Sequence, residues 1–393
     1  MKLLIYSHYF APSVGGVETI VTLLARNLSE MRSALPAGNN LVVTVATQTP
    51  PAGFDDRTFP FRVVRAPSVL HLWRLIRQVD VVHIAGPSLL PMILAKLAGK
   101  PYVVEHHGYQ AICPNGVLIH QPDRAICPGH FQANHYAVCV RCQHHEMSWP
   151  NAVAKLLMMF PRHSLSRAAN SNVFITRHSL DRHRFPRAQV IYYGIEPMPQ
   201  ASNATNTTHS TNTEPTRFAY VGRLVPEKGL DILLRAATLL KNDGLSFELL
   251  LIGDGPERAK LETQIGTDNL HDVARVIGFL RGSALTDQMN KVDAVVMPSM
   301  WEETAGLAAI EQMMRGRIVI ASDIGGLGEV VGSAGLKFPA GDAECLAAQM
   351  KGVIQDDTQP LSQLGERAAA RAHSVFAAGR MVAEHLSLYQ SLR

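Results

Sequence analysis

RFAYVGRLVPEKG, Arg217 to Gly229, runs from an apolar strand-forming segment straight into a loop carrying two cations, Arg223 and Lys228. LDILLRAATLL follows with helical spacing, so the stretch reads as a strand, a ligand-facing loop and a helix. In open parallel sheets the loops at strand C-termini line the crevice where ligands sit. Working downstream, Phe247 to Ile252, Val273 to Ile277, Ala294 to Met297 and Ile318 to Ala321 repeat the short β-branched runs. Upstream, Lys2 to Tyr6, Leu41 to Ala46, Phe61 to Arg65, Val79 to Ile84 and Pro101 to Glu105 form an earlier set. Strands alternating with helical patterns predict parallel sheets covered on both faces, here two α/β doubly wound, Rossmann-like domains. The boundaries that follow are 1–196 for the first domain, with a Cys/His-rich insertion at 108–148, and 217–375 for the second. The polar linker 197–216 between them has almost nothing to bury.

The chain has 393 residues, 47% hydrophobic and 18% charged, an ordinary globular balance with material for two cores. Its N-terminal run lacks the basic flank and small-residue cleavage site of a signal peptide, and no stretch approaches a bilayer span. A cytoplasmic protein, at most peripheral at the inner face of a membrane, is the expectation. Residues 1–196 hold 19 Lys and Arg against 10 Asp and Glu, whereas 197–393 hold 18 against 23. A basic first half suits anionic lipid or a phosphorylated ligand. Only 6% of residues are aromatic and none interleave with the basic ones as a stacking surface, which argues against nucleic acid.

Three segments carry chemistry. Arg223 offers a planar fork of donors and Lys228 a compact charge, a pair suited to two bridged phosphates whose charge grows as a leaving group departs. PSMWEETAGLAAIEQMMRG, Pro298 to Gly316, predicts a loop to about Ala305 and then a helix with the apolar stripe Leu307, Ile310, Met313 and Met314. Glu303 then precedes the helix and Glu311 sits in its second turn, about 10 Å away at 1.5 Å rise per residue. The backbone of Thr304, Ala305, Gly306 and Leu307 would face an anion, Glu311 ribose hydroxyls and Glu303 sugar hydroxyls. The third segment is SHYFAPSVGGVE, Ser7 to Glu18, where Gly15 and Gly16 open a helix without the dinucleotide-binding spacing. Gly222, Gly278 and Phe279 complete the donor-binding candidates. The chain has no Asp-x-Asp, so no catalytic metal is expected.

GRLVPEKG, IGDGPE, VIGFL, the Glu303 and Glu311 pair and the GG-x-x-E of Gly325 to Glu329 together resemble the family 4 glycosyltransferases of GT-B fold. The resemblance implies two Rossmann-like domains facing across a cleft, with a C-terminal helix, 376–393, returning to the N-terminal domain. It also implies a retaining enzyme that moves a sugar from a nucleotide diphosphate sugar, UDP- or GDP-linked, to a hydroxyl. His107, Arg223, Lys228 and Glu303 would be catalytic. The acceptor would be a glycan or a lipid-linked or growing polysaccharide. This chain departs from the pattern at Ala305, at Gln312 and at Gly108, which follows His107 where many members carry Asp. That last change leaves His107 without an evident charge partner, and the adjacent His106 is expected to point the other way.

Cys113, Cys127, Cys139 and Cys142 fall within thirty residues and suggest structural zinc. A His from His120, His130, His135, His144 or His145 can replace one sulfur, and free thiols or disulfides remain alternatives. Cys345 is expected in a helix and in the core. Trp149 to Arg167 reads as a basic amphipathic stretch broken by Pro161, fit for an anionic membrane or for core packing. The rival functions are a non-catalytic sugar-nucleotide-binding or zinc-organised scaffold protein and a GT-B-fold epimerase.

Overall fold

The computed structural model describes residues 1–13, 15–31, 41–198, 215–355 and 361–393, so most of the polar linker lies outside the described residues. Two compact units emerge, one of Met1–Ile195 with Ala377–Arg393, the other of Glu196–Phe376.

The first unit holds β1 (Lys2–Ser7), β2 (Val42–Thr47), β3 (Arg62–Arg65), β4 (Val81–Ala85), β5 (Tyr102–His106), β6 (Ser171–Phe174) and β7 (Ala188–Val190). They pair in the order β3-β2-β1-β4-β5-β6-β7, every pair parallel. β1, β4 and β5 are buried on both faces, as a strand covered by helices on each side must be, even where β4 and β5 carry His83, Glu105 and His106. The second unit holds β8 (Thr216–Val221), β9 (Phe247–Ile252), β10 (Ala274–Gly278), β11 (Ala294–Met297), β12 (Ile318–Ser322) and β13 (Leu336–Phe338). Their order is β10-β9-β8-β11-β12-β13, again all parallel. Each sheet therefore reverses direction next to its first strand, between β1 and β4 and between β8 and β11. Those are the topological switch points where loops part and a ligand crevice opens.

Three strands escape the sequence pattern: β6, β7 and β13. They are three or four residues long, and β6 reads Ser-Asn-Val-Phe with both polar residues buried. Asn172 is tolerated there because its amide donates to the Pro186 carbonyl while its oxygen meets His106 Nε2 at 2.9 Å. Pro161 does not break its segment, since one helix runs from Trp149 to Ala168. Cys345 is exposed in the first turn of the helix Ala343–Gln355 and contributes nothing to the core. Its backbone N–H is held by Asp342, so the helix start, and not apolar packing, sets its position.

The last helix, Ala378–Ser391, packs within the first unit. The Ala378 N–H donates to the Ile195 carbonyl, and Arg380 reaches the Tyr192 carbonyl at 3.0 Å. His385 and Tyr389, four residues apart, share one buried face of it. No helix among the described residues is long and apolar enough to cross a membrane.

Candidate active site

In the second unit the switch point brings the loop after β8 against the loop after β11. Lys228 Nζ lies 2.8 Å from Glu303 Oε1, both largely buried. Ser299 donates to the same carboxylate oxygen, and the Lys228 ammonium also stands 5.8 Å over the Trp301 ring. Two glycines make this approach possible. Gly229 has φ of +66°, and a Cβ on it would strike the Pro298 carbonyl oxygen. Gly326 donates its N–H to the Glu303 carbonyl at 2.6 Å, and a Cβ there would strike the Thr304 carbonyl. The Gly-Gly pair thus cradles the glutamate loop by backbone contact.

Tyr220 links the two loops from below. Its hydroxyl donates to the Arg223 carbonyl at 2.8 Å, and its pKa is driven up by burial and then by the Glu303 carboxylate. Arg223 itself is exposed. Gly222 follows β8 and donates to the Ile252 carbonyl at 3.0 Å. Gly278 ends β10, while Phe279 beside it is 61% exposed, a large ring held in solvent.

The helix after the glutamate loop is Leu307–Met314, with Gly306 at its N-cap in the left-handed region. Thr304 and Ala305 are buried in the turn before it. The apolar stripe differs from expectation. Ile310, Met313 and Met314 are buried, whereas Leu307 is only half-buried and Gln312 takes a core position. Glu311 is half-buried on the second turn, and burial lifts its carboxyl above the usual range, opposed by Arg315.

In the first unit, the ends of β1 and β4 and the segment after β5 enclose a cavity of about 400 Å³ that includes His8, Gly86, Ser88, His107, Gln110 and Arg162. Gly15 caps the helix Gly16–Glu30 that follows β1, with an extended φ of −172°. That conformation is open to any residue, so it does not itself require glycine. His107 Nδ1 meets the Tyr193 hydroxyl at 2.6 Å, and burial pulls the imidazole pKa down against the opposing pull of Glu105. The charge partner that Gly108 could not supply is Glu105, whose Oε2 is 3.7 Å from His107 Nε2. Strand alternation carries the signal, because residues 105 and 107 share a face while His106 faces the other way, onto Phe174 and Asn172.

The four insertion cysteines are buried free thiols, so no disulfide joins them. Cys139 is pushed up to about 12 by burial and by Cys113, Cys127 and Cys142 around it. Among the described residues only His83, Glu105 and His385 bring three metal-ligating atoms within 4.8 Å of one another, so the sulfurs are more widely spaced.

Residues 204–371 match the model of the family described as glycosyl transferases group 1. The 2-deoxystreptamine glucosyltransferase of Streptomyces kanamyceticus is 35% identical over 149 residues, 37% of this chain and 38% of that protein. A glycogen synthase of Mycobacterium tuberculosis is 33% identical over 146 residues, 37% of this chain and 35% of its own. The matches thus span well under half the length of these curated relatives. The crystal structure of Anabaena HepE in complex with UDP is similar over the whole of both chains, with 19% identity and a TM-score of 0.73. The sucrose-phosphate synthase of Thermosynechococcus elongatus matches 100% of this chain and 98% of its own, with 19% identity and a TM-score of 0.71.

Proposed function

We propose, from a C-terminal unit matching the group 1 glycosyl transferases and two sheets in the GT-B layout, that this protein is a nucleotide-sugar-dependent glycosyltransferase. The observation that carries the reading is the Lys228–Glu303 pair, seated at the β8/β11 switch point on two glycine-dependent turns. In this reading Lys228 and the exposed Arg223 neutralise the departing diphosphate, assisted by the N-terminal end of Leu307–Met314. Glu303 has two tasks. It orients the Lys228 ammonium and presents its second oxygen to sugar hydroxyls. Glu311 accepts from the ribose. The relation to family 4 supports retention of anomeric configuration, with the acceptor attacking from the face the diphosphate leaves.

His107 is the acceptor-side residue of this reading. Burial favours its neutral form, and the cavity it lines holds apolar and polar groups suited to a sugar hydroxyl. The acceptor class we favour is a lipid-linked or growing glycan. The supporting feature is the helix Trp149–Ala168, which leaves Trp149, Val153, Leu157, Met158 and Phe160 exposed while burying Leu156 and Met159. With Lys155 beside them, these side chains suit an anionic bilayer surface. Structural zinc at the cysteines is supported by their burial together and by the Gln121 N–H, which donates to Cys142 Sγ at 3.3 Å. Zinc would draw the sulfurs together.

The test is direct. The protein is incubated with UDP-, GDP- and ADP-sugars and a panel of hydroxyl acceptors, and glycoside product is measured by mass spectrometry. One nucleotide should also raise the melting temperature, since it binds only the folded unit. Binding without transfer to any acceptor would favour the scaffold alternative, and interconversion of the sugar without an acceptor would favour an epimerase.

A further inference from the structure

Glu105 is wholly buried at the end of β5, and neither of its carboxylate oxygens has an aligned hydrogen bond. His83, on neighbouring β4, sets Nε2 3.1 Å from one oxygen, and His385, on the returning helix, sets Nε2 3.7 Å from the other. Neither nitrogen makes an aligned hydrogen bond, His107 Nε2 stands 3.7 Å from the same Glu105 oxygen as His83, and the side chains of His83, Glu105 and His385 are at most 1% exposed. Leaving four polar atoms of a carboxylate and two imidazoles unmatched in an apolar interior is costly, unless something they share satisfies them.

The far sides of both rings are already engaged. His385 Nδ1 donates to the Met381 carbonyl at 2.9 Å, and His83 Nδ1 meets the Tyr389 hydroxyl at 2.9 Å. A neutral His385 that donates through Nδ1 turns a lone pair, not a proton, toward the carboxylate. Two acceptors then face each other at 3.7 Å, an arrangement that a cation between them reverses. Metal-bound histidines show this outer pattern, with the distal N–H fixed by a carbonyl or hydroxyl partner. The spacing suits it too. Ligand atoms about 2.0–2.1 Å from a tetrahedral ion stand about 3.4 Å apart, between the two distances observed.

We propose that His83, Glu105 and His385 form a buried divalent-metal site, with zinc the favoured ion for two imidazoles and one carboxylate. Its role is to fasten the C-terminal helix to the centre of the first sheet. His385 follows Glu105 by 280 residues in the chain, so the ion closes a long loop. With all three ligands buried, the metal is expected to enter as the chain folds and to stay through dialysis. The site is separate from the cysteines, and it adjoins His107 through Glu105, whose Oε2 is 3.7 Å from His107 Nε2.

The experiment uses full-length protein without a histidine tag, grown with added zinc, dialysed against a chelator and then denatured, with released metal counted by mass spectrometry. Glu105→Gln and His385→Gln should each hold one zinc fewer per chain than the parent. A parent with no zinc, or variants with the parent's count, overturns the site. Because either variant can fail to fold, the zinc X-ray absorption spectrum of the parent gives a second reading. A nitrogen and oxygen shell near 2.0–2.1 Å, comparable in weight to any sulfur shell, is expected. A sulfur-dominated shell means that the cysteines hold all the metal and the proposal fails.

Discussion

The two units share one strand order and put opposite chemistry at the same topological place. At the β8/β11 switch point stands an ion pair, Lys228 with Glu303, carried on glycine turns. Beside the β1/β4 switch point the side chains are imidazoles around one buried carboxylate, with His107 on the cavity wall. The difference teaches that the fold supplies a crevice and a set of loop ends, while side chains decide what each crevice can bind. A permanent cation suits a diphosphate. A desolvated neutral imidazole suits a hydroxyl that must be oriented.

The comparison breaks first at Lys228. Lys228→Ala should lower kcat by about 10²–10³, the usual cost of removing one charge-stabilising donor, with circular dichroism unchanged. Unaltered turnover would remove the ion pair from the mechanism. Gly326→Val, next in size, should destabilise the second unit by about 2–4 kcal/mol, because the new side chain meets the backbone at Thr304. Urea denaturation followed by fluorescence in a background with Trp73→Phe and Trp149→Phe, where Trp301 alone emits, reads this, and a wild-type midpoint would show the loop to be adaptable.

His107→Ala should reduce kcat by about 10- to 100-fold while nucleotide affinity, measured by calorimetry, stays at the parent value. A matching loss of nucleotide affinity would mean that the two crevices do not divide the work. pH separates the units more gently. His106 and His183 are buried against each other, and burial draws the pKa of His106 down to about 4 and that of His183 well below its ordinary value. In the unfolded chain both titrate near 6.5. The unfolded state therefore binds more protons, and the first unit should lose stability, on the order of 2 kcal/mol, as pH falls from about 6.5 to 4. Flat denaturation midpoints over that range would refute this. Smallest in effect, Leu157→Ser should leave stability within about 0.5 kcal/mol of the parent while weakening flotation with anionic vesicles. Equal flotation of both proteins would remove the bilayer from the picture.

Much of the fold lay open in the sequence because buried parallel strands leave a plain mark. Phe247–Ile252 and Ala294–Met297 could be read as apolar runs to the residue. β6, β7 and β13 could not, since three or four residues with polar members carry no period to detect. Lys228 and Glu303 were legible as candidates because they fall in loops at strand C-termini, where parallel sheets hold ligands, within motifs that resemble the family 4 glycosyltransferases. Glu105 was passed over as the end of a strand, although its place two residues before His107 was the available clue. Cys345 misled because cysteines are so often buried, and helix position alone does not say which turn faces solvent.

The sequence by itself determined which segments become strands, which loops carry cations and carboxylates, and that the pattern occurs twice. Those properties are local, set by spacing along a few residues. Only tertiary structure decided that Lys228 touches Glu303, that Gly326 supports the glutamate loop from beneath, and that His385 joins His83 and Glu105. Each of these is a meeting of distant segments at an atomic distance, fixed by sheet order and by how closely backbones can approach.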